Sequence, residues 1–111
     1  MNRFLTTADA TAAGFAFAFN ADRSQFEIHR DGDTVGVAHV SDFGELRDFD
    51  HTVVDDAYRG TGLSGVFAEF ALTHESTVGK ELRASCSFIQ RMLQKHPETV
   101  DESGRATGAW N

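Results

Sequence analysis

Only one cysteine, Cys86, and one proline, Pro97, occur in the 111 residues, with a single tyrosine and a single tryptophan. A lone thiol forms no internal disulfide and builds no multi-thiolate metal site, so Cys86 is either inert or reactive on its own. Cations are scarce too: Lys and Arg number 10 against 17 Asp and Glu, for a formal net charge of −7. Such a chain repels a polyphosphate backbone at long range, and no Lys/Arg run interleaves with aromatics, so nucleic acid is not an expected partner. No apolar run reaches the roughly 18 residues of a membrane span, and no basic-then-apolar leader is visible. A cytoplasmic protein without a membrane partner is the expectation.

What the chain has in quantity is phenylalanine, ten residues in a composition that is 41% hydrophobic. That suffices for one compact domain burying roughly two-thirds of its unfolded surface, and leaves no room for a second. Residues 1–13 are small and polar without period, and read as a flexible segment. "GFAFAFN" then alternates Phe15, Phe17 and Phe19 with small residues, the period-two pattern of a strand with one buried face. "QFEIHR" follows, "DGD" at 31–33 offers Asp-Gly turn chemistry, and "TVGVAHV" resumes alternation with Val35, Val37 and His39 on one face. "DFGE" turns the chain into "LRDFDHTVV", where alternation puts Arg47, Phe49, His51 and Val53 on one side and Leu46, Asp48, Asp50, Thr52 and Val54 on the other.

From Leu63 onward, Val66, Phe67, Phe70, Ala71 and Val78 fall at helical spacing and predict a long amphipathic helix that stops near Gly79. "ELRASCS" predicts a short strand. Phe88, Ile89, Met92, Leu93 and His96 predict a second helix, ended by Pro97. Residues 99–111 are polar and aperiodic apart from Trp110, and read as a frayed tail. The expected fold is therefore an α/β (α+β) domain over residues 14–98: a mixed, mainly antiparallel sheet, a helix across it that begins in glycines, and a short C-terminal helix.

The glycine-rich stretch "YRGTGLSG" raises the question of a ligand. Gly60, Gly62 and Gly65 spell the GxGxxG of a dinucleotide fold, which needs a strand running into the first glycine and an acidic residue about 20 positions on. Here five residues separate Val54 from Gly60, the later stretch "RASCSF" holds no carboxylate, and only 46 residues follow Gly65. A doubly wound sheet cannot be completed in that length. A helix starting in glycines still gathers unpaired N–H groups and the positive end of its dipole, which favours a bound anion. The alternative reading is a tight turn and helix cap with no ligand.

His51-Thr52-x-Val54, Arg59-Gly60-x-Gly62, Cys86-Ser87-Phe88 and His96-Pro97-Glu98 occur in that order. Together with the strands before them and the helices between, this arrangement over about residues 15–98 resembles the GNAT superfamily of acyl-CoA-dependent N-acetyltransferases. Within it, the chain is similar to the minimal single-domain family marked by an HTxV strand and a PxCS(F/Y) segment. Ser64 stands where Gly or Ala is common, and Ala84 where that family has proline.

The resemblance implies acetyl-CoA (coenzyme A) as cofactor, its pyrophosphate on the N–H groups of Arg59, Gly60, Thr61, Gly62, Leu63 and Ser64. Its pantetheine would run beside the strand end at Val53 and Val54. The same resemblance points to His51 and Cys86 as catalytic: an imidazole with an ordinary pKa of about 6.5 for proton transfer, and a thiol that either accepts the acetyl group or protonates coenzyme A. Spacing alone reads His51 as a core histidine on the Phe49 and Val53 face, and Cys86 as a small buried hydrophobe.

His29, His39, His74 and His96 share no helical face or ligand spacing, so no metal site is expected. Glu45, Asp48, Asp50, Asp55 and Asp56 read as solvated carboxylates, and any that rim an acceptor opening favour a cationic amine. The expected activity is acetyl transfer to a small-molecule or protein amine, by a monomer or at most a weak dimer. The rivals are an acyl-CoA or coenzyme A binding module without turnover, and a nucleotide-binding or interaction domain.

Overall fold

Five strands form one sheet whose spatial order follows the chain. The computed structural model describes residues 3–111 and contains β1 (Ala16–Asn20), β2 (Gln25–Arg30), β3 (Asp33–Phe43), β4 (Leu46–Val54) and β5 (Glu81–Ala84). Three helices accompany them: α1 (Thr7–Ala12), α2 (Leu63–Thr73) and α3 (Ser87–Lys95). β1 to β4 pair antiparallel and β4 pairs β5 in parallel, so the sheet is mixed and mainly antiparallel, as expected. Local chemistry dictates this order. Arg30 pairs with Asp33 across Asp31 and Gly32, whose φ values of 52° and 84° make a two-residue hairpin turn. The parallel partner requires a crossover, which α2 supplies.

All three helices contribute to one core on one face of the sheet. Phe26 and Phe49 stack there with ring centroids 6.0 Å apart, under Leu63, Phe67 and Ala71 of α2, with Ala10 of α1 and Ile89 of α3 alongside. On β3 the buried residues are Gly36, Ala38 and Val40, whereas Val35, Val37 and His39 lie on the half-buried opposite side. Gly36 is needed because Ile28 would sit 2.7 Å from any Cβ at that position. Arg47 is buried among these aromatics at 2% exposure. Its guanidinium lies 5.1 Å from the Phe19 ring, grips both carboxylate oxygens of Asp42 at 2.9 Å, and donates to the Ser76 and Thr77 hydroxyls.

A bulge in β4 corrects the strict alternation anticipated for that strand. His39 pairs with His51 but Val40 pairs with Phe49, so Asp50 is the extra residue. An inserted residue exchanges the two faces for everything after it. Arg47 and Phe49 point into the core, but His51 and Val53 emerge on the opposite face, exposed, while Thr52 and Val54 turn inward.

The crossover helix is also shorter than the apolar spacing predicts, ending at Thr73 with Val78 outside it and 44% exposed. The sequence "THEST" explains the stop, because its side chains compete for the backbone. Thr73 donates to the Glu69 carbonyl, His74 Nδ1 accepts the Ser76 N–H, and the Thr77 hydroxyl donates to the Ala71 carbonyl.

Among the described residues, the segments before β1 and after α3 make contacts of their own. Thr6 and Asp9 form a reciprocal capping box that starts α1, and the Phe4 N–H donates to the Thr61 carbonyl at 2.6 Å. At the other end, Val100 bridges Ala106, Arg105 bridges Glu81 along the outer edge of β5, and Trp110 stacks on His96 at 3.7 Å. Asp101 holds the returning turn by accepting from Ser103 and Arg105.

Candidate active site

β4 and β5 separate at the bulge. Their pairing runs from Leu46 and Glu81 to Phe49 and Ala84; then the Cys86 N–H donates to the Phe49 carbonyl at 3.1 Å and the chain turns into α3. Residues 50–54 of β4 therefore keep β3 on one side and have no strand on the other. Backbone polar groups left along such an edge can be satisfied by an extended ligand.

The glycine loop stands at the end of this opening. Gly60 and Gly62 have φ of 79° and 87°, and Gly62 caps α2. A Cβ on Gly62 would collide with the Phe4 carbonyl oxygen, so glycine is required there by contact as well as by backbone angle. The loop's donors divide into two sets. Arg59, Thr61 and Leu63 spend their N–H groups on Asp56, Tyr58 and the Thr61 hydroxyl. Among the described residues the N–H groups of Gly60, Gly62, Ser64 and Gly65 have no acceptor. Unpaired amides gathered at a helix N-terminus favour a bound anion. The side chains of Thr61 and Leu63 are buried, whereas that of Arg59 is 80% exposed and paired with Asp56 at 2.9 Å.

A cavity of about 200 Å³ joins the loop to the opening, lined by Thr52, Val54, Tyr58, Arg59, Ser64 and Phe88, with Asp55 and Asp56 at its rim. Thr52 Oγ1 is buried there without a hydrogen-bond partner among the described residues. An unpaired buried hydroxyl destabilises a fold by about 1 kcal/mol or more. Thr52→Val is accordingly expected to raise the stability of the ligand-free protein by about 1 kcal/mol, read from the urea unfolding midpoint; a fall would mean that the hydroxyl has a partner. A larger cleft of about 610 Å³ lies between α2 and α3 against Phe4, Glu69, His96 and Trp110. It is lined by Gly62 and Gly65, and neither cavity is lined by His51 or Cys86; the smaller one is distinguished by Thr52 and Val54, which bring it to the unpaired edge of β4. Burial pushes the Glu69 carboxyl up in that cleft, opposed by the charge of His96.

His51 and Cys86 lie at the opening on opposite sides of the sheet. Cys86 is half-buried at the N-cap of α3 and packs against the core, the side of the cavity. His51 is exposed on the other face and has no hydrogen-bond partner among the described residues. Val54 lines the cavity, whereas the Val53 side chain is 52% exposed beside His51.

That open face carries polar groups that spacing did not reveal. His39 Nδ1 and Asp50 Oδ1 are 2.9 Å apart, and the Ser41 hydroxyl donates to the other Asp50 oxygen at 2.6 Å. Burial pushes the Asp50 carboxyl up, but these hydrogen bonds and the charges of His39 and His51 outweigh it and hold Asp50 below the ordinary carboxylate value. Glu27, 8% exposed, accepts from Gln25 and Asn20 and contacts His29. His39 and Asp50 are eleven residues apart, and only the bulged pairing of β3 with β4 brings them together. No short sequence signal marks them.

A family model described as GCN5-related N-acetyl-transferase matches residues 25–102, from β2 to the turn after α3. The chain belongs to the GCN5-related N-acetyltransferases. A search of curated proteins gives no match. Membership in the GCN5-related N-acetyltransferases supports acyl-CoA-dependent acetyl transfer in general, and the family typically uses acetyl-CoA. The residues present fit that group: four free amides at a helix N-terminus, a cavity leading to an unpaired strand edge, and an unpartnered hydroxyl within it.

Proposed function

We propose that this GCN5-related N-acetyltransferase moves the acetyl group of acetyl-CoA onto an amine. The observation that carries the reading is the opening between β4 and β5 beside the free amides of the α2 N-terminus. Gly60, Gly62 and Ser64 hold the pyrophosphate through their N–H groups, Arg59 adds a positive charge, and the free edge at Val53 and Val54 takes the pantetheine. Because the chain carries a net charge of −7, short-range donors supply the binding, and long-range steering opposes it.

Bound acetyl-CoA supplies an activated acetyl thioester. Transfer then requires a neutral amine, a donor for the developing oxyanion and a proton for the departing sulfur. A backbone N–H near Val53 serves the second need. Cys86, on the cavity side, either accepts the acetyl group or gives the sulfur its proton, and His51 handles protons where the opening meets the open face. Asp48 and Asp50 make that face attractive to a cationic acceptor.

Coenzyme A at 100 times its dissociation constant is expected to stabilise the protein by about 2.7 kcal/mol, read as a thermal shift that NAD and ATP do not reproduce. Intact-mass spectra and free coenzyme A release, with acetyl-CoA and a panel of amines, test turnover. Retention with neither adduct nor release would make the protein an acyl-CoA binding module. No retention would overturn the reading altogether.

A further inference from the structure

Two imidazoles, His39 and His51, face each other across β3 and β4 on the open side of the sheet, and only one is held in a fixed orientation. The His39 ring shares its Nδ1 with Asp50, and Asp50 is itself fixed by the Ser41 hydroxyl. A carboxylate at Nδ1 keeps the proton on that nitrogen and leaves the Nε2 lone pair free as a proton acceptor. The His39 and Asp50 side chains are 41% and 28% exposed, open enough for an acceptor to reach and covered enough to be positioned. We infer that His39 is the general base that takes the proton of the acceptor ammonium, with Asp50 and Ser41 as its positioning residues, leaving His51 to act at the thioester side of the opening.

This assignment rests on the acetyl-transfer reading. A cationic amine gives one proton to His39 Nε2. Its nitrogen then bonds to the acetyl carbon as the carbon–sulfur bond breaks, its second proton ends on the coenzyme A sulfur, and His39 returns the first to water. The amide, coenzyme A thiol and one released proton balance the ammonium and the thioester.

The groups that face His39 are few. β4 contributes Asp50, His51 and, further along, Asp48; β2 contributes Gln25 directly opposite, then Glu27 and His29; Arg83 lies beyond on β5. The helices pack on the other face. Glu27 is already engaged by Gln25, Asn20 and His29, so the carboxylate that acts on His39 is Asp50.

The test compares two acceptors of different basicity, a primary alkylamine that is protonated at pH 7 and hydroxylamine, which is largely neutral there. His39→Gln should lower coenzyme A release about 100-fold with the alkylamine and by less than about twofold with hydroxylamine, which needs no base to reach its reactive form. A readout independent of turnover is the ring tautomer. Long-range proton–nitrogen spectra should show His39 protonated at Nδ1 in the parent and without that preference in Asp50→Ala. Equal rates for His39→Gln and the parent with both amines, or a basicity-dependent loss in His51→Gln alone, would overturn the assignment. If the parent itself transfers to neither amine, the acetyl-transfer reading falls, and this one with it.

Discussion

Replacing His51 by alanine is expected to slow acetyl transfer by about 10²–10⁴-fold, the usual contribution of a positioned proton-transfer group, with coenzyme A retention unchanged. Because the His51 side chain is exposed and makes no hydrogen bond among the described residues, its removal leaves the sheet intact. The loss should be the same for weakly and strongly basic amines, since His51 acts on the thioester side. Cys86→Ala belongs in the same experiment. If the thiol carries the acetyl group, the parent incubated with acetyl-CoA gains about 42 Da, the mass of one acetyl, and the variant does not. A Cys86 that only protonates the leaving sulfur gives no adduct, and its alanine variant shows a defect that shrinks as the pH falls. A variant as fast as the parent at both sites would remove them from the mechanism.

Arg47→Ala is expected to produce the largest loss of stability, about 3 kcal/mol by urea unfolding. Removing one member of a buried ion pair typically costs 3–5 kcal/mol, and the lower end applies because Asp42 is 40% exposed and regains water. The substitution also leaves the Thr77 hydroxyl without its guanidinium contact and empties space beside Phe19 and Phe26. A pH signature accompanies it. Arg47's hydrogen bonds hold the Asp42 carboxyl below its ordinary value, against burial and with help from the charges of Arg47 and Lys80. A folded-state pKa that is depressed contributes stability above the unfolded value, about 3.9, and loses it as the pH falls through the folded value. The parent should therefore lose stability below about pH 4 more steeply than Arg47→Ala. Parallel acid limbs would show that the pair contributes nothing.

Much of this architecture is legible in the sequence because it is written locally. The Asp31-Gly32 and Gly44 turns, the alternation from Phe15 to Phe19, and Pro97 after α3 each fix an element without reference to distant parts. The glycines that start α2 are legible by the same local logic, but which amides are free depends on Asp56, Tyr58 and Thr61 taking the others, a detail of the folded turn. What escapes a linear reading depends on pairing between strands. Nothing near Asp50 marks it as an inserted residue, so strict alternation carries His51 to the wrong face and hides the contact with His39. The end of α2 escapes for a related reason, as apolar residues at helical intervals do not register side chains that capture the backbone at Thr73 and His74.

The bulge also decides which kinds of change β4 can tolerate. Substituting one residue after Phe49 alters chemistry on one side of the sheet and leaves the other side alone. Deleting Asp50 itself removes the extra residue and leaves His51 opposite His39 and Thr52 opposite Ala38, so both sides of the sheet keep their residues and only the bulge and the His39–Asp50 contact are lost. Loss of that one codon therefore makes a bulged strand regular without moving either compartment. A one-residue difference in length at position 50 should accordingly be found only in functional sequences that do without the His39–Asp50 pair.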